Sequence, residues 1–132
     1  MMKKKLFVLS IYCLMLVGLA ACTPDPNEQF IQGVWAFANE SGDERSGAAH
    51  VFFEWQFSNG TFFIQQEIAM GNPLVSEGRY RILESKENLL ILELFNVEGN
   101  YIISDPYELR VEIDRENDTA RIQRTLFERA YP

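Results

Sequence analysis

Residues 51–64 read Val-Phe-Phe-Glu-Trp-Gln-Phe-Ser-Asn-Gly-Thr-Phe-Phe-Ile, two apolar runs on either side of an Asn-Gly pair. In the first run apolar and polar side chains alternate, which places three aromatic rings on one face of a strand: Phe53, Trp55 and Phe57. Asn59 and Gly60 both tolerate positive φ angles, so they predict a tight hairpin turn. Phe62 continues the apolar face after the turn. The segment therefore predicts an antiparallel hairpin with one buried face.

The same alternation, interrupted by turn-forming residues, recurs along the rest of the chain and predicts eight candidate strands: 33–38, 51–57, 62–68, 78–83, 89–97, 101–104, 107–113 and 119–129. We expect seven or eight antiparallel strands in an up-and-down meander that closes into a small barrel, because closure removes exposed strand edges. Six aromatic side chains face inward by parity: Phe53, Trp55, Phe57, Phe62, Tyr80 and Tyr107. They either line an apolar pocket or fill the barrel.

The composition excludes several classes of protein. The 132 residues suffice for one globular domain, and two cysteines with a single histidine exclude a disulfide framework or a zinc site built from several such ligands. The net charge of −7 argues against nucleic acid as a partner. His50 stands outside any recognisable catalytic motif. We therefore expect no enzymatic activity, no cofactor and no metal site.

The N-terminus has the pattern of a signal peptide, with Lys3, Lys4 and Lys5 before an apolar run that ends at Ala21. That run is shorter than the roughly 20 residues of a membrane-spanning helix, which makes a permanent transmembrane anchor the weaker interpretation. Loss of the three lysines with the signal brings the net charge from −7 to about −10. We expect residues 1–21 to be the signal peptide.

Residues 19–22, Leu-Ala-Ala-Cys, resemble the lipobox of bacterial lipoproteins. The resemblance implies cleavage before Cys22, acylation of its thiol and attachment to a membrane of the cell envelope outside the cytoplasm. Thr23 after the cysteine implies the outer membrane in a Gram-negative organism. Cleavage by an ordinary signal peptidase, leaving a free thiol, is the alternative. We expect residues 22–29 to form a lipidated cysteine and polar linker, and residues 30–132 to form the barrel.

Gly33-Val34-Trp35 resembles the Gly-x-Trp opening of lipocalins and related calycin barrels. In that family the Trp closes one end of the barrel and a basic residue of the last strand packs across its ring. The resemblance implies that Gly33, Trp35 and Arg124 form such a plug, and that residues 39–47 correspond to the loop between the first two strands. The alternatives are a plain core aromatic at Trp35 and a surface arginine at Arg124, if the alternation slips at a bulge.

Two functions follow from these patterns. The first is a lipid-anchored, non-catalytic envelope protein whose lipocalin-like barrel binds a small apolar or amphipathic molecule. The second is a structural or protein-interaction lipoprotein of the same architecture with a filled core. Spare volume inside the barrel is the property that distinguishes them.

Overall fold

The structure, a computed structural model, describes residues 23–37, 52–67 and 71–131. The predicted signal peptide (residues 1–21), Cys22, residues 39–47 and His50 lie outside the described residues. A short helix, α1 (Pro26–Ile31), precedes eight strands: β1 (Gly33–Phe37), β2 (Phe53–Ser58), β3 (Thr61–Gln66), β4 (Leu74–Lys86), β5 (Leu89–Gly99), β6 (Tyr107–Asp114), β7 (Thr119–Ile122) and β8 (Thr125–Tyr131).

Every strand pairs antiparallel with the next, and β8 pairs with β1 to close the barrel. The predicted fold, an all-β antiparallel meander that closes into a small lipocalin-like barrel, is therefore confirmed, with eight strands. The Asn-Gly turn is also confirmed: Asn59 and Gly60 have φ angles of 45° and 82°, and Ser58 pairs with Thr61 across it. Both central residues lie in the left-handed region, as a two-residue hairpin turn requires.

The number of strands is eight, but the positions of some strands differ from the prediction. Residues 101–104 are not a strand but part of an irregular segment between β5 and β6, where the Ser76 hydroxyl donates to the Tyr101 carbonyl at 2.9 Å. The predicted single strand 119–129 is instead β7 and β8, joined by a turn at Gln123 and Arg124 with φ angles of 50° and 73°. Because these residue types rarely form such turns, the sequence carries no signal for the break.

The barrel interior is filled with side chains, most of them from alternate positions of the strands. Trp55 and Phe57 stack in parallel with ring centroids 5.8 Å apart, and Tyr80 meets the Phe57 ring edge-on at 5.9 Å. Leucines and β-branched residues complete the core on the far wall: Leu90, Leu92, Leu94, Leu109, Val111, Ile113 and Ile122. Packing of this kind leaves little room in the middle of an eight-stranded barrel.

The folded domain begins earlier than residue 30. Helix α1 starts at Pro26 in what was predicted to be linker, and its Asn27 and Ile31 side chains are buried against the barrel. Asp25 caps the helix by accepting from the backbone N–H groups of Asn27 and Glu28 at 2.9 and 3.0 Å. An aspartate followed by proline is a common helix start, but six residues are too few to produce a helical apolar period.

Candidate binding site at the open end of the barrel

The two ends of the barrel differ in construction. We call the end that carries α1 and the hairpin turns at residues 59–60, 87–88 and 115–118 the sealed end. The opposite end, where β1 finishes and β2 begins and where residues 100–106 and the turn 123–124 lie, is the open end. The predicted plug residues and the predicted pocket residues must be assigned to one end or the other.

Trp35 lies fully buried at the sealed end. Its indole N–H donates to the Ile31 carbonyl at 2.9 Å, and the guanidinium of Arg129 lies 4.4 Å from the centroid of its ring. Arg129 also donates to the carbonyls of Phe30 at 2.5 Å and Gln32 at 2.8 Å. The same guanidinium therefore stacks on an aromatic face and satisfies two backbone acceptors beside α1.

The prediction that Arg124 packs on Trp35 is wrong. Arg124 is exposed in the turn between β7 and β8 at the open end, whereas Arg129 occupies the position over the ring. The predicted alternation was carried through the turn as if the strand were continuous, which assigned the wrong basic residue to the plug. Gly33 begins β1 with a φ angle of 115° and pairs with Phe57.

Helix α1 is fixed to the hairpin turns of the sealed end by polar side chains. Asn27 donates to the Leu89 carbonyl at 3.2 Å, and its own side-chain oxygen accepts from Arg115 at 2.6 Å. Gln32 donates to the Tyr80 hydroxyl at 2.9 Å and accepts from the backbone N–H of Asn59 at 2.8 Å. These contacts reach the turns at 59–60 and 115–118 and Leu89 beside the turn at 87–88, and Arg129 makes a second contact with the 115–118 turn through Asp118.

Tyr80, like Asn27, is a buried polar side chain of this end. Its hydroxyl donates to the Glu28 carboxylate at 3.1 Å and accepts from Gln32. Burial is the largest influence on this hydroxyl and raises the pKa of Tyr80 above its usual value of 10.0. The side chain thus stays protonated at neutral pH and acts as a hydrogen-bond link between β4 and α1.

The open end holds a pocket of about 190 Å³ that is lined by nine uncharged residues: Phe53, Trp55, Tyr101, Ile102, Ile103, Tyr107, Ile122, Gln123 and Thr125. Tyr101 and Phe53 stack with ring centroids 6.0 Å apart. Gln123 donates to the Tyr107 hydroxyl at 3.1 Å and to the Glu108 carbonyl at 2.8 Å. The pocket combines aromatic and aliphatic walls with hydroxyl and amide groups at one side.

Burial, with a smaller contribution from Tyr107, raises the pKa of Tyr101 above 10.0. The hydroxyl is therefore neutral at physiological pH. None of the described residues that line the pocket carries a formal charge, which favours an uncharged occupant because a buried charge without a partner is costly.

The six predicted pocket residues fall into two groups. Phe53, Trp55 and Tyr107 line the pocket, whereas Phe57, Phe62 and Tyr80 lie deeper, in the filled part of the barrel. Sequence reasoning did not assign Tyr101, Ile103 and Gln123 to the pocket. The alternation of Tyr101 and Ile103 was present in the sequence, but it was interpreted as another strand.

Two features are absent from the residues that the structure describes. Within residues 23–37, 52–67 and 71–131, no three His, Cys, Asp or Glu side chains are grouped so as to hold a metal ion. The same ranges contain no helix long and apolar enough to cross a bilayer. In comparisons with known proteins, no family model, no curated protein and no solved structure matches the chain.

Proposed function

We propose that this chain is a lipid-anchored, non-catalytic protein of the cell envelope that binds a small uncharged apolar molecule at the open end of its barrel. The observation that carries the proposal is the pocket of about 190 Å³ with its uncharged lining. The attachment rests on Leu19-Ala20-Ala21-Cys22 and on the resemblance of that segment to a lipobox.

The size of the pocket limits the ligand. An engineered protein cavity of about 150 Å³ lined by apolar side chains accommodates benzene, whereas sites for drug-sized ligands run from about 300 to 1,000 Å³. A pocket of about 190 Å³ therefore fits one aromatic ring with a small substituent, or a short aliphatic chain. A long-chain fatty acid would find no room below the pocket, because Phe57, Phe62 and Tyr80 fill that part of the barrel.

The polar groups at the pocket favour a ligand with one hydrogen-bonding group. Tyr101, Tyr107 and Thr125 contribute hydroxyl groups, and Gln123 contributes an amide. A simple phenol has the required size and polarity, so 4-methylphenol is a suitable probe.

The test uses an isotope-labelled chain that starts at Thr23. All described core residues lie between Asn27 and Phe127, so this chain retains the complete packed core. Titration with 4-methylphenol should move the amide NMR signals of Tyr101 and Gln123 along a saturable curve, while those of Asn27 and Arg115 at the sealed end stay in place. Palmitate should produce no saturable one-to-one curve.

A matched pair of variants identifies the site. Ile103→Trp fills the pocket and should abolish the response to 4-methylphenol, whereas Leu83→Trp, on an exposed part of β4, should leave it unchanged. The anchor is tested separately: Cys22→Ser should abolish labelling by palmitate, and Cys13→Ser should not. Labelling that survives Cys22→Ser would refute the anchor.

A structural or interaction lipoprotein without a ligand is the second candidate. The filled interior favours it, since Trp55, Phe57 and Phe62 occupy the space that a deep ligand would need. Signals that remain unmoved by 4-methylphenol, in a protein whose spectrum is that of a folded barrel, would support this candidate instead.

A further inference from the structure

We propose that the open end also serves as a docking surface for a basic, apolar segment of another envelope protein. This inference rests on the proposed anchoring through Cys22. We define the open rim as three exposed hydrophobic residues at that end of the part of the barrel that the structure describes: Phe37, Phe52 and Ile102.

The open rim is the exposed margin of an aromatic row that crosses the end of the barrel. Phe37 meets the buried Phe127 edge-on at 6.3 Å, Phe127 lies 5.2 Å from Phe53, and Phe53 stacks on Tyr101. Ile102, the next residue, is 95% exposed. Covering such an exposed apolar side chain with a partner removes apolar surface from water and is therefore favourable.

Carboxylates surround this apolar row. Glu67 lies opposite Phe52, since its backbone N–H donates to the Phe52 carbonyl at 2.8 Å. Four further acidic residues lie near the ends of the strands or in the irregular segment at the same end: Glu54, Glu98, Asp105 and Glu108. Among the described residues two arginines lie at the same end, Arg124 in the turn and Arg121 next to the end of β7, so the carboxylates outnumber the arginines five to two. These five carboxylates, which we call the acidic ring, therefore favour a positively charged partner.

None of these five carboxylates forms an ion pair among the described residues. In the described ranges, ion pairs join arginine or lysine to four other carboxylates: Glu84, Glu93, Glu112 and Asp118. An apolar centre with nearby carboxylates that form no ion pair in the described ranges is complementary to a segment in which leucine-like side chains alternate with lysine or arginine.

The position of the anchor favours another protein, rather than the membrane that holds the acyl chains, as the partner of the open rim. Two residues, Thr23 and Pro24, lie between Cys22 and Asp25, so these three steps of the chain reach about 11 Å when extended. The seven residues of β8 span about 23 Å along the strand between the two ends of the barrel. Because the tether leaves from the sealed end and is shorter than that span, the open rim faces away from the leaflet that holds the acyl chains.

The test uses the mature acylated protein in phosphatidylcholine nanodiscs and a fluorescent peptide of alternating Leu and Lys residues. Anisotropy should reveal saturable binding above that of empty nanodiscs, and the affinity should fall as salt is raised. A peptide with Glu in place of every Lys should not bind. Equal binding of both peptides would overturn the role of the acidic ring.

Matched variants localise the contact. Phe52→Ser and Ile102→Ser should each weaken binding of the Lys peptide by about tenfold, a typical effect for an anchor side chain at the centre of an interface. Leu83→Ser removes a comparably exposed side chain from the wall of β4 and should have no effect. Glu67→Gln should lower both the affinity and its salt dependence, whereas Glu116→Gln at the sealed end should change neither.

The outcomes separate this inference from the proposed function. If 4-methylphenol binds but the Lys peptide binds Phe52→Ser and wild type equally, only the docking surface is refuted. If neither probe binds and palmitate labelling is absent, the proposed function fails as well. If the chain from Thr23 sediments with phosphatidylcholine vesicles and Ile102→Ser abolishes this, the occupant is a lipid surface and the protein partner is refuted.

Discussion

The sealed end and the open end close the same barrel by different interactions. At the sealed end, directional hydrogen bonds of Asn27 and Gln32 join the α1 region to the hairpin turns, and Arg129 links the Phe30 carbonyl to Asp118. At the open end, residues 100–106 are held by stacking of Tyr101 on Phe53 and by hydrogen bonds to strand residues, which join Asn100 to Val75, Tyr101 to Ser76 and Asp105 to Val97. On this comparison we expect the sealed end to contribute more to stability, whereas the open end carries the pocket in which we propose that a ligand binds.

The largest expected effect is the loss of Trp35. Trp35→Ala removes a fully buried ring, its hydrogen bond to Ile31 and the surface on which Arg129 stacks, so the free energy of unfolding should fall by about 4 kcal/mol. Phe37→Ala at the open rim removes a ring that is 43% exposed and should cost about 1 kcal/mol or less. Urea denaturation of the chain from Thr23 measures both. Equal losses of unfolding free energy in the two variants would contradict the expectation that the sealed end contributes more to stability than the open end.

The next effect concerns Arg129, whose side chain is 16% exposed. Arg129→Lys keeps the charge but cannot reach the carbonyls of Phe30 and Gln32 together, and it should cost about 2 kcal/mol. The control is Arg124→Lys in the exposed turn, expected within about 0.5 kcal/mol of wild type. A larger loss of unfolding free energy for Arg124→Lys than for Arg129→Lys would support the packing of Arg124 on Trp35 that the sequence predicts.

The pH dependence should reveal tyrosines at both ends. Burial raises the pKa values of Tyr80 and Tyr101, so the folded state holds these protons more tightly than the unfolded state does. The resulting stabilisation is complete below pH 10 and is lost as the pH rises through the higher folded values. The urea concentration at the denaturation midpoint should therefore decrease as the pH is raised above about 10. Tyr80→Phe should reduce that fall, whereas Tyr131→Phe, with a side chain that is 69% exposed, should not.

The smallest effect compares one turn from each end. Arg124 has a φ angle of 73°, so Arg124→Gly should stabilise the protein by about 0.5 to 1 kcal/mol by relieving the left-handed backbone. Gly60→Ala, at a φ angle of 82° in the turn of the sealed end, should destabilise it by about 1 kcal/mol. Thermal melts detect both. A stabilising Gly60→Ala would show that backbone conformation does not control these turns.

The alternation of apolar and polar residues was sufficient to predict the barrel, its direction of pairing and the inward position of Trp55, Phe57 and Phe62, because side-chain parity is a local property of a strand. It was not sufficient for the plug. The turn at Gln123 and Arg124 uses residue types without a turn preference, and the two-residue turn changes which side chains face inward, so that Phe127 rather than Leu126 enters the core.

The pocket was only partly predictable for a related reason. Phe53 and Tyr107 follow from parity, whereas the placement of Ile103 and Gln123 depends on how an irregular segment folds across the end of the barrel. That path is determined by long-range contacts, such as the hydrogen bond from Ser76 to the Tyr101 carbonyl, which no local pattern encodes.

The attachment of α1 also has a mechanical consequence. A pull applied at Thr23 loads Asp25 first, and Asp25 accepts from the hydroxyl of Ser85 on β4 at 2.8 Å. Force that passes beyond the helix enters β1, which is hydrogen-bonded along both edges, to β2 and to β8. Extraction of β1 along its own axis must shear two ladders at once rather than open one pair at a time. The barrel is thus built to bear tension at the end from which it would be tethered.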